Sequence, residues 1–309
     1  MALHVHNLEF DCFGSFPTRH LLINNLPTLG TQVQTLRRYT MDLYTFVWWN
    51  VAGFMISEMT LMSSTILLHR CLTHGALKLH PAVQGVMKSN IWQVTGMNIA
   101  AWVAMHRKHH AHTDTEDDPH SPLTFGFWKV QLQTQFLFNK AKEDPELISK
   151  YARDIPHTKW DRLIFDHSRW ALFQGIAILW FLCSLKSGLL WGFVGAIYIA
   201  LTTYFWYVIF ASGCINGIGH YAVKGSYQNY TEGDHVKHSQ NYHPLAWGTW
   251  GEGYHNNHHG EPRAAYFSRV GWEFDPAKPV IKALVVLGLA WDVVEPKLGS
   301  KVKQPKLNA

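Results

Sequence analysis

The feature that most restricts this chain is its alternation of long apolar blocks with polar, histidine-rich ones. Leu43 to Leu68 is a run of 26 residues interrupted only by Glu58 as a charge. As an α-helix it would extend about 39 Å, against a hydrocarbon core of about 30 Å, so it can cross a bilayer once and not twice. Residues 170–214 form a second apolar stretch, broken at Lys186-Ser187-Gly188, which reads as a hairpin of two crossings. Glu58 lies in no ligand motif and is assigned to a helix–helix or headgroup contact. The mean hydropathy of −0.09 conceals this alternation.

Between these blocks, Val83, Val86, Met87, Ile91, Val94 and Trp102 recur at helical spacing, with Gln84, Lys88, Thr95 and Asn98 near the opposite face. The pattern predicts one helix over Ala82–Met105, lying in the interface. Residues 106–169 and 215–279 are polar and rich in Pro, Gly and His, as expected of a cap, and 280–294 is a further interfacial candidate. The expected layout is an N-terminal arm (1–42), a main domain (43–295) with spans at about 43–68, 170–186 and 189–214 and a cap at 69–169 and 215–295, and a basic tail (296–309). The fold class is therefore an all-α integral membrane protein: a few-helix transmembrane bundle with interfacial helices and a cytosolic helical cap. Residues 1–40 lack a secretory signal pattern, so targeting is assigned to the first span.

A net charge of +5, with 14 Trp and 12 Tyr, fits a headgroup belt. No nucleic-acid-binding module is present, so no nucleic acid is expected as a partner. Cys12, Cys71, Cys183 and Cys214 show no paired spacing, which argues against a disulfide framework or zinc ribbon.

The 20 histidines are the compositional anomaly, and many stand in three clusters: His69-x4-His74, His106-x2-His109-His110 and His255-x2-His258-His259. On an α-helix, positions i, i+3 and i+4 lie within about 60°, so each HxxHH places three imidazoles on one face. A spacing of five turns the second ring by about 140°, which suits a helix ending after His74, before Gly75. With 20 histidines in 309 residues, HxxHH should arise by chance roughly 0.1 times, and it occurs twice. The boxed histidines are therefore read as metal ligands. His4, His6, His20, His80, His112, His120, His157, His167, His235, His238 and His243 are read as ordinary surface or core residues. Imidazole suits iron, copper, nickel or zinc, so the ligand type alone leaves the metal open.

HxxxxH, HxxHH and HxxHH in this order, around paired apolar helices, resemble the membrane fatty acid desaturases, specifically delta-9-type acyl desaturases of the bacterial and cyanobacterial branch. The flanks carry the resemblance further, through Asp114, Asp117-Asp118-Pro119-His120-Ser-Pro122 and Gly126-Phe-Trp128 after the second box, and Gly251-Glu252-Gly253-Tyr254 before the third. The likeness covers about residues 43–275. It implies a dimetal site of two iron ions, dioxygen as co-substrate, and introduction of a double bond into an acyl chain, a long one being expected. It further implies His220 as a ninth ligand and Asn216 acting through a water, with Asp114, Asp117, Asp118 and Glu252 as acceptors that orient the rings. No haem- or flavin-binding segment is visible, so an external donor of ferredoxin or cytochrome b5 type, with its reductase, is implied. The active site would face the cytosol, at a bacterial inner membrane.

Animal acyl-CoA desaturases share an Arg-Asp pair before the second box, where this chain has Ala104-Met105. Lipid-linked and carrier-protein-linked acyl chains thus stand beside acyl-CoA as substrates. Lys129, Lys140, Lys142, Lys150, Arg153, Lys159, Arg162 and Arg169 would suit an acidic carrier, or a positive-inside bias. The acyl chain is expected to enter between the helices from the membrane side, with Met55, Met59, Met62, Trp48 or Trp49 as candidate lining. A same-family acyl hydroxylase, acetylenase or terminal-alkene-forming enzyme would show the same histidine pattern. A membrane metal transporter would need ligands inside its spans, whereas these lie at or beyond helix ends.

Overall fold

The computed structural model describes residues 43–297 and 306–307, so the arm of residues 1–42 and most of the basic tail lie outside the described residues. Helix α1, Leu43–Ser63, continues through Ser64–Thr73 in a wider i→i+5 winding. Its hydroxyls are satisfied within the helix: Thr60 Oγ1 donates to Ile56 O (2.8 Å) and Ser63 Oγ to Met59 O (2.8 Å). Gly53, Ser57, Thr60 and Leu61 are buried, whereas Val51, Phe54, Met55 and Met59 stay exposed. An apolar outer face over a small-residue inner one is what a helix needs to pack on protein while facing lipid.

After strand β1 (Lys78–Leu79) come helices α2 (Pro81–Thr95) and α3 (Ile99–Ala111). The single helix expected over Ala82–Met105 is thus two. Gly96 takes the left-handed conformation (φ +62°) that ends α2, and Asn98 restarts the chain by accepting the Ala101 N–H at 2.9 Å. The hydrophobic period runs through both because the interruption is only three residues long. Short helices α4 (Pro122–Phe125), α5 (Phe127–Ala141) and α6 (Leu147–Tyr151) follow.

Helix α7, Ser168–Tyr204, continues in wide winding through Phe205–Ser212 into α8, Gly213–Ile218. It is not straight. At Gly188 (φ +76°, ψ +168°) the backbone leaves helical geometry. The Trp180 indole N–H donates to Leu189 O at 2.9 Å, and the Trp180 and Phe193 rings lie 5.3 Å apart. Nine residues of straight helix span about 13 Å, so the chain reverses here. By length and composition, Leu43–Thr73 and Ser168–Ile218 are each apolar enough to cross a membrane.

Helix α1 packs on the second limb of α7. A Cβ on Gly53 would meet Thr202 at 2.8 Å, Thr203 Oγ1 donates to Gly53 O (3.2 Å), and Tyr198 Oη donates to Asn50 Oδ1 (3.0 Å). The remaining chain, with strand β2 (Tyr227–Gln228) and helices α9 (His243–Gly248), α10 (His255–Gly260) and α11 (Ala277–Val286), forms the cap. Strand β3 (Ala290–Trp291) pairs antiparallel with β1, and β4 (Lys306–Leu307) with β2. The main core joins Ile66, Leu67 and Leu68 to Ile91, Ala265, Tyr266 and Ile281, so the cap is anchored on the upper end of α1.

Candidate metal centre

The wide winding explains the five-residue spacing of the first box. Instead of a 140° offset, i→i+5 hydrogen bonding stacks residues five apart, and His74 N–H donates to His69 O itself (3.2 Å). The two rings end 5.1 Å apart, and Gly75 (φ +58°) then turns the chain. The second box occupies the last turns of α3, and the third is nearly the whole of α10, with His255, His258 and His259 buried.

These elements bring nine histidines together in two adjoining groups. One is His69, His74, His106, His110 and His258; the other is His109, His220, His255 and His259. Within each group one ring nitrogen per residue lies within 4.8 Å of the others. Opposed Nε2 atoms are close: His69 to His258 is 2.9 Å, His110 to His258 2.8 Å, His109 to His259 3.2 Å and His255 to His220 2.8 Å.

Three carboxylates decide which nitrogens carry protons. His69 Nδ1 donates to Glu252 (2.7 Å), His109 Nδ1 to Asp118 (2.8 Å) and His220 Nδ1 to Asp114 (2.9 Å). A carboxylate only accepts, so a proton sits on each Nδ1, and in the neutral ring this leaves Nε2 with a lone pair aimed into the cluster. Burial, reinforced by neighbouring histidines, holds His74, His106, His110, His255, His258 and His259 well below the ordinary histidine value, so these six rings are neutral. Convergent lone pairs at such distances repel unless a cation lies among them. His74 Nε2 is buried with no hydrogen-bond partner, which fits the same need. An all-nitrogen donor set suits a first-row transition metal rather than calcium or magnesium.

Of the four acidic candidates, Asp114, Asp118 and Glu252 meet the rings. The Asp117 side chain is 78% exposed and stands 3.9 Å from His112, away from the cluster. Burial would raise the Asp118 carboxyl, but the His109 imidazole overcomes it and holds the group well below the carboxylate range. Asn216 lines the cavity beside the histidines, and its Nδ2 donates to Thr134 Oγ1 at 3.1 Å. His120, read from sequence as an ordinary residue, is buried with its ring 4.4 Å from that of His109, its Nδ1 making no hydrogen bond and lying 3.9 Å from Asp118 Oδ1. Burial drives His120 down to about 3. Its place directly after Asp118-Pro119 was the available signal.

A cavity of about 70 Å³ adjoins the cluster, walled by Leu61, Ser64 and Thr65 of the α1 limb, Trp102 and Met105 of α3, and Tyr207, Ile215 and Asn216 of the α7–α8 limb; His69, His106, His120 and His255 also line it. The methionines and tryptophans considered as lining are elsewhere. Met55, Met59 and Trp48 face outward, Met62 packs in the main core, and Trp49 is buried 6.1 Å from the Tyr198 ring. Glu58 makes a helix-to-cap contact, accepting from the Trp250 indole (2.9 Å). All eight basic residues between Lys129 and Arg169 noted in the sequence are exposed.

Residues that no ligand motif marks hold the boxes in place. The fillers of the third box, Asn256 and Asn257, are fully buried. Asn256 Oδ1 accepts the N–H groups of Asn229 and Tyr230 (both 2.8 Å), while Asn257 Nδ2 donates to Phe267 O (2.8 Å) and Glu273 (2.9 Å). Arg70, next to His69, is buried in a bidentate pair with Asp275 (3.0 and 3.2 Å) and lies 3.9 Å over the Phe267 ring.

The sequence model of the fatty acid desaturase family matches residues 46–270. The chain is 29% identical over 234 residues to an sn-1 stearoyl-lipid 9-desaturase of Synechocystis sp., covering 75% of this chain and 67% of that protein. It is 29% identical over 256 residues to an acyl-CoA 5-desaturase of Anemone leveillei, covering 79% and 70%. To a hex-5-enoyl-(acyl-carrier protein) acetylenase of Moorena producens it is 24% identical over 306 residues, covering 93% and 89%. With a match over most of its length, a helical fold bearing apolar membrane-associating helices, and histidine clusters able to hold metal, the chain belongs to the fatty acid desaturase family of oxidoreductases.

Proposed function

We propose that the chain is an oxygen-dependent fatty acyl desaturase, delta-9-type by its similarity to a 9-desaturase, working through two iron ions held by the two histidine groups. The observation that carries this reading is the pairing of two abutting sets of buried imidazoles, with Nε2 lone pairs directed by Glu252, Asp118 and Asp114. In it, His69, His74, His106, His110 and His258 hold one ion, and His109, His220, His255 and His259 the other, with Asn216 acting through a water. A bound iron pair supplies, with dioxygen, the oxidising power to remove two hydrogens from adjacent methylene groups, chemistry beyond any side chain here. The protein's own part is to keep the three Nδ1 protons on their rings, to hold the imidazoles rigid and to exclude water from the cavity.

In this reading Leu43–Leu68 and the two limbs of α7 cross the membrane, the cap lies on the cytosolic face of a bacterial inner membrane, and a ferredoxin- or cytochrome b5-type donor delivers the electrons. The acyl group is lipid-, carrier-protein- or CoA-linked. An acetylenase is the second reading, favoured by the near end-to-end coverage of the Moorena producens relative. Co-expression with a donor and reductase, followed by gas chromatography of the acyl products, tests the proposal. A new alkene is expected; a hydroxylated product without alkene would sink the desaturase reading, and an alkyne would favour the second one. Replacing His106, His109, His258 or His259 singly by Ala should abolish product while protein stays in the membrane, and retained activity in two of these variants would overturn the ligand assignment.

A further inference from the structure

The two histidine groups are not equally enclosed. His109, His220, His255 and His259 are all buried, whereas His74 and His110 of the first group are only partly so. His74 also lines a groove of about 630 Å³, floored by the end of the first box and walled by Arg107, Asp154 and Arg263. A chelating molecule needs a few hundred Å³ to lodge, so it fits here. His255 of the second group lines only the smaller cavity of about 70 Å³, less than the ~150 Å³ that admits a benzene ring.

Arg107, the second residue of the second box, holds the end of the first box in place. The last carbonyls of a helix have no N–H ahead of them to accept from, and Arg107 serves two of these: its Nε donates to Thr73 O (3.0 Å) and its Nη2 to Leu72 O (2.8 Å). The guanidinium is held in turn by Tyr151 O (3.0 Å) and by a bidentate pair with Asp154 (2.5 and 3.1 Å). This clasp sits where the His74 ring meets those of His106 (5.3 Å) and His110 (4.7 Å). It is also open to solvent, for the Asp154 side chain is 60% exposed and that of Arg107 25%, and an ion pair so exposed is screened and holds weakly. In the second group, His109 and His220 lean instead on the buried carboxylates of Asp118 and Asp114. We propose that the first group is the exchangeable metal site and the second the permanent one, and that Arg107 is the positioning residue that limits exchange at the first. The first group has one imidazole more, so the difference is one of access and not of ligand number. This rests on the reading that each group holds one iron ion, and it deepens that reading by making the two sites unequal.

The test uses the full chain, solubilised and loaded with ferrous iron, and follows release of the metal to an excess of a chromogenic ferrous chelator. The wild type should release its iron in two phases of one ion each. His220→Ala, which alters the second group alone, should remove the slow phase and keep the fast one. Arg107→Ala should speed the fast phase by about 10–100-fold and leave the slow phase unchanged, with Asp154→Asn acting more mildly in the same sense. General loosening of the fold would speed both phases alike, so the split between them separates positioning from bulk stability. Release of both ions in a single phase overturns the proposal, and that wild-type measurement stands even if Arg107→Ala fails to accumulate. Loss of the fast phase in His220→Ala, or equal acceleration of both phases in the Arg107 and Asp154 variants, also overturns it. A protein that never takes up two ions defeats the reading of the two groups as an iron pair, and the inference with it, whereas two ions released together defeat the inference alone.

Discussion

Each of Glu252, Asp118 and Asp114 serves one histidine, and each is buried or nearly so. Replacing a carboxylate by an amide keeps the shape but offers the ring an N–H as readily as an oxygen, so the ring's proton is no longer fixed. Asp118→Asn should lower iron affinity by about 10–100-fold, read as metal per protein after dialysis against a graded chelator. Thr65 donates to Glu252 and would hold that carboxylate in place, so Thr65→Val should weaken the same site more mildly. The buried neutral histidines set a pH dependence as well. Their values are depressed in the folded chain, so below about pH 6.5 an unfolded chain takes up protons that the folded site refuses. The metal-free protein should therefore lose stability steadily as pH falls from about 6.5 to 5, seen as a falling melting temperature in detergent; a flat profile would mean the rings protonate in place.

At the scale of elements, the helix break at Gly188 is set by backbone alone. Its φ and ψ fall in territory open essentially to glycine, and a Cβ there would meet nothing within 4 Å. Gly188→Ala should then cost about 1–3 kcal/mol from strain without any clash, measurable as reduced thermal stability of the solubilised protein. Elements were legible in the sequence where periodicity or composition ran long: the apolar blocks, the break at Lys186–Gly188 and the helical HxxHH boxes all stand out. The wide winding of Ser64–Thr73 was not, because nothing in apolar periodicity distinguishes i→i+4 from i→i+5 hydrogen bonding over two turns. The interruption at Gly96 was hidden by an uninterrupted hydrophobic stripe. His120 and the asparagine fillers Asn256 and Asn257 were missed for another reason: their roles depend on partners such as Asn229, Tyr230 and Glu273, which only tertiary folding brings near.

Over the whole molecule, one ion pair fastens the cap to the membrane-associated helices. Arg70, at the upper end of the α1 limb, reaches Asp275 before α11 as well as the carbonyls of Ala265 and Trp250. Both side chains of the pair are fully buried. Asp275→Ala would strand a buried guanidinium and should cost about 3–5 kcal/mol, whereas the double replacement Arg70→Met with Asp275→Leu should restore much of the loss. Thermal melting of the solubilised protein distinguishes the two. The histidine contacts impose a further condition on how the protein is made. His69 and His258 meet across 189 residues of sequence. At about 5–20 residues per second, a ribosome needs on the order of ten seconds or more to supply the second after the first. Neither histidine group is complete until the third box has been made, so on the proposed reading iron would be loaded only after translation, and a truncated or stalled chain would have no site for it.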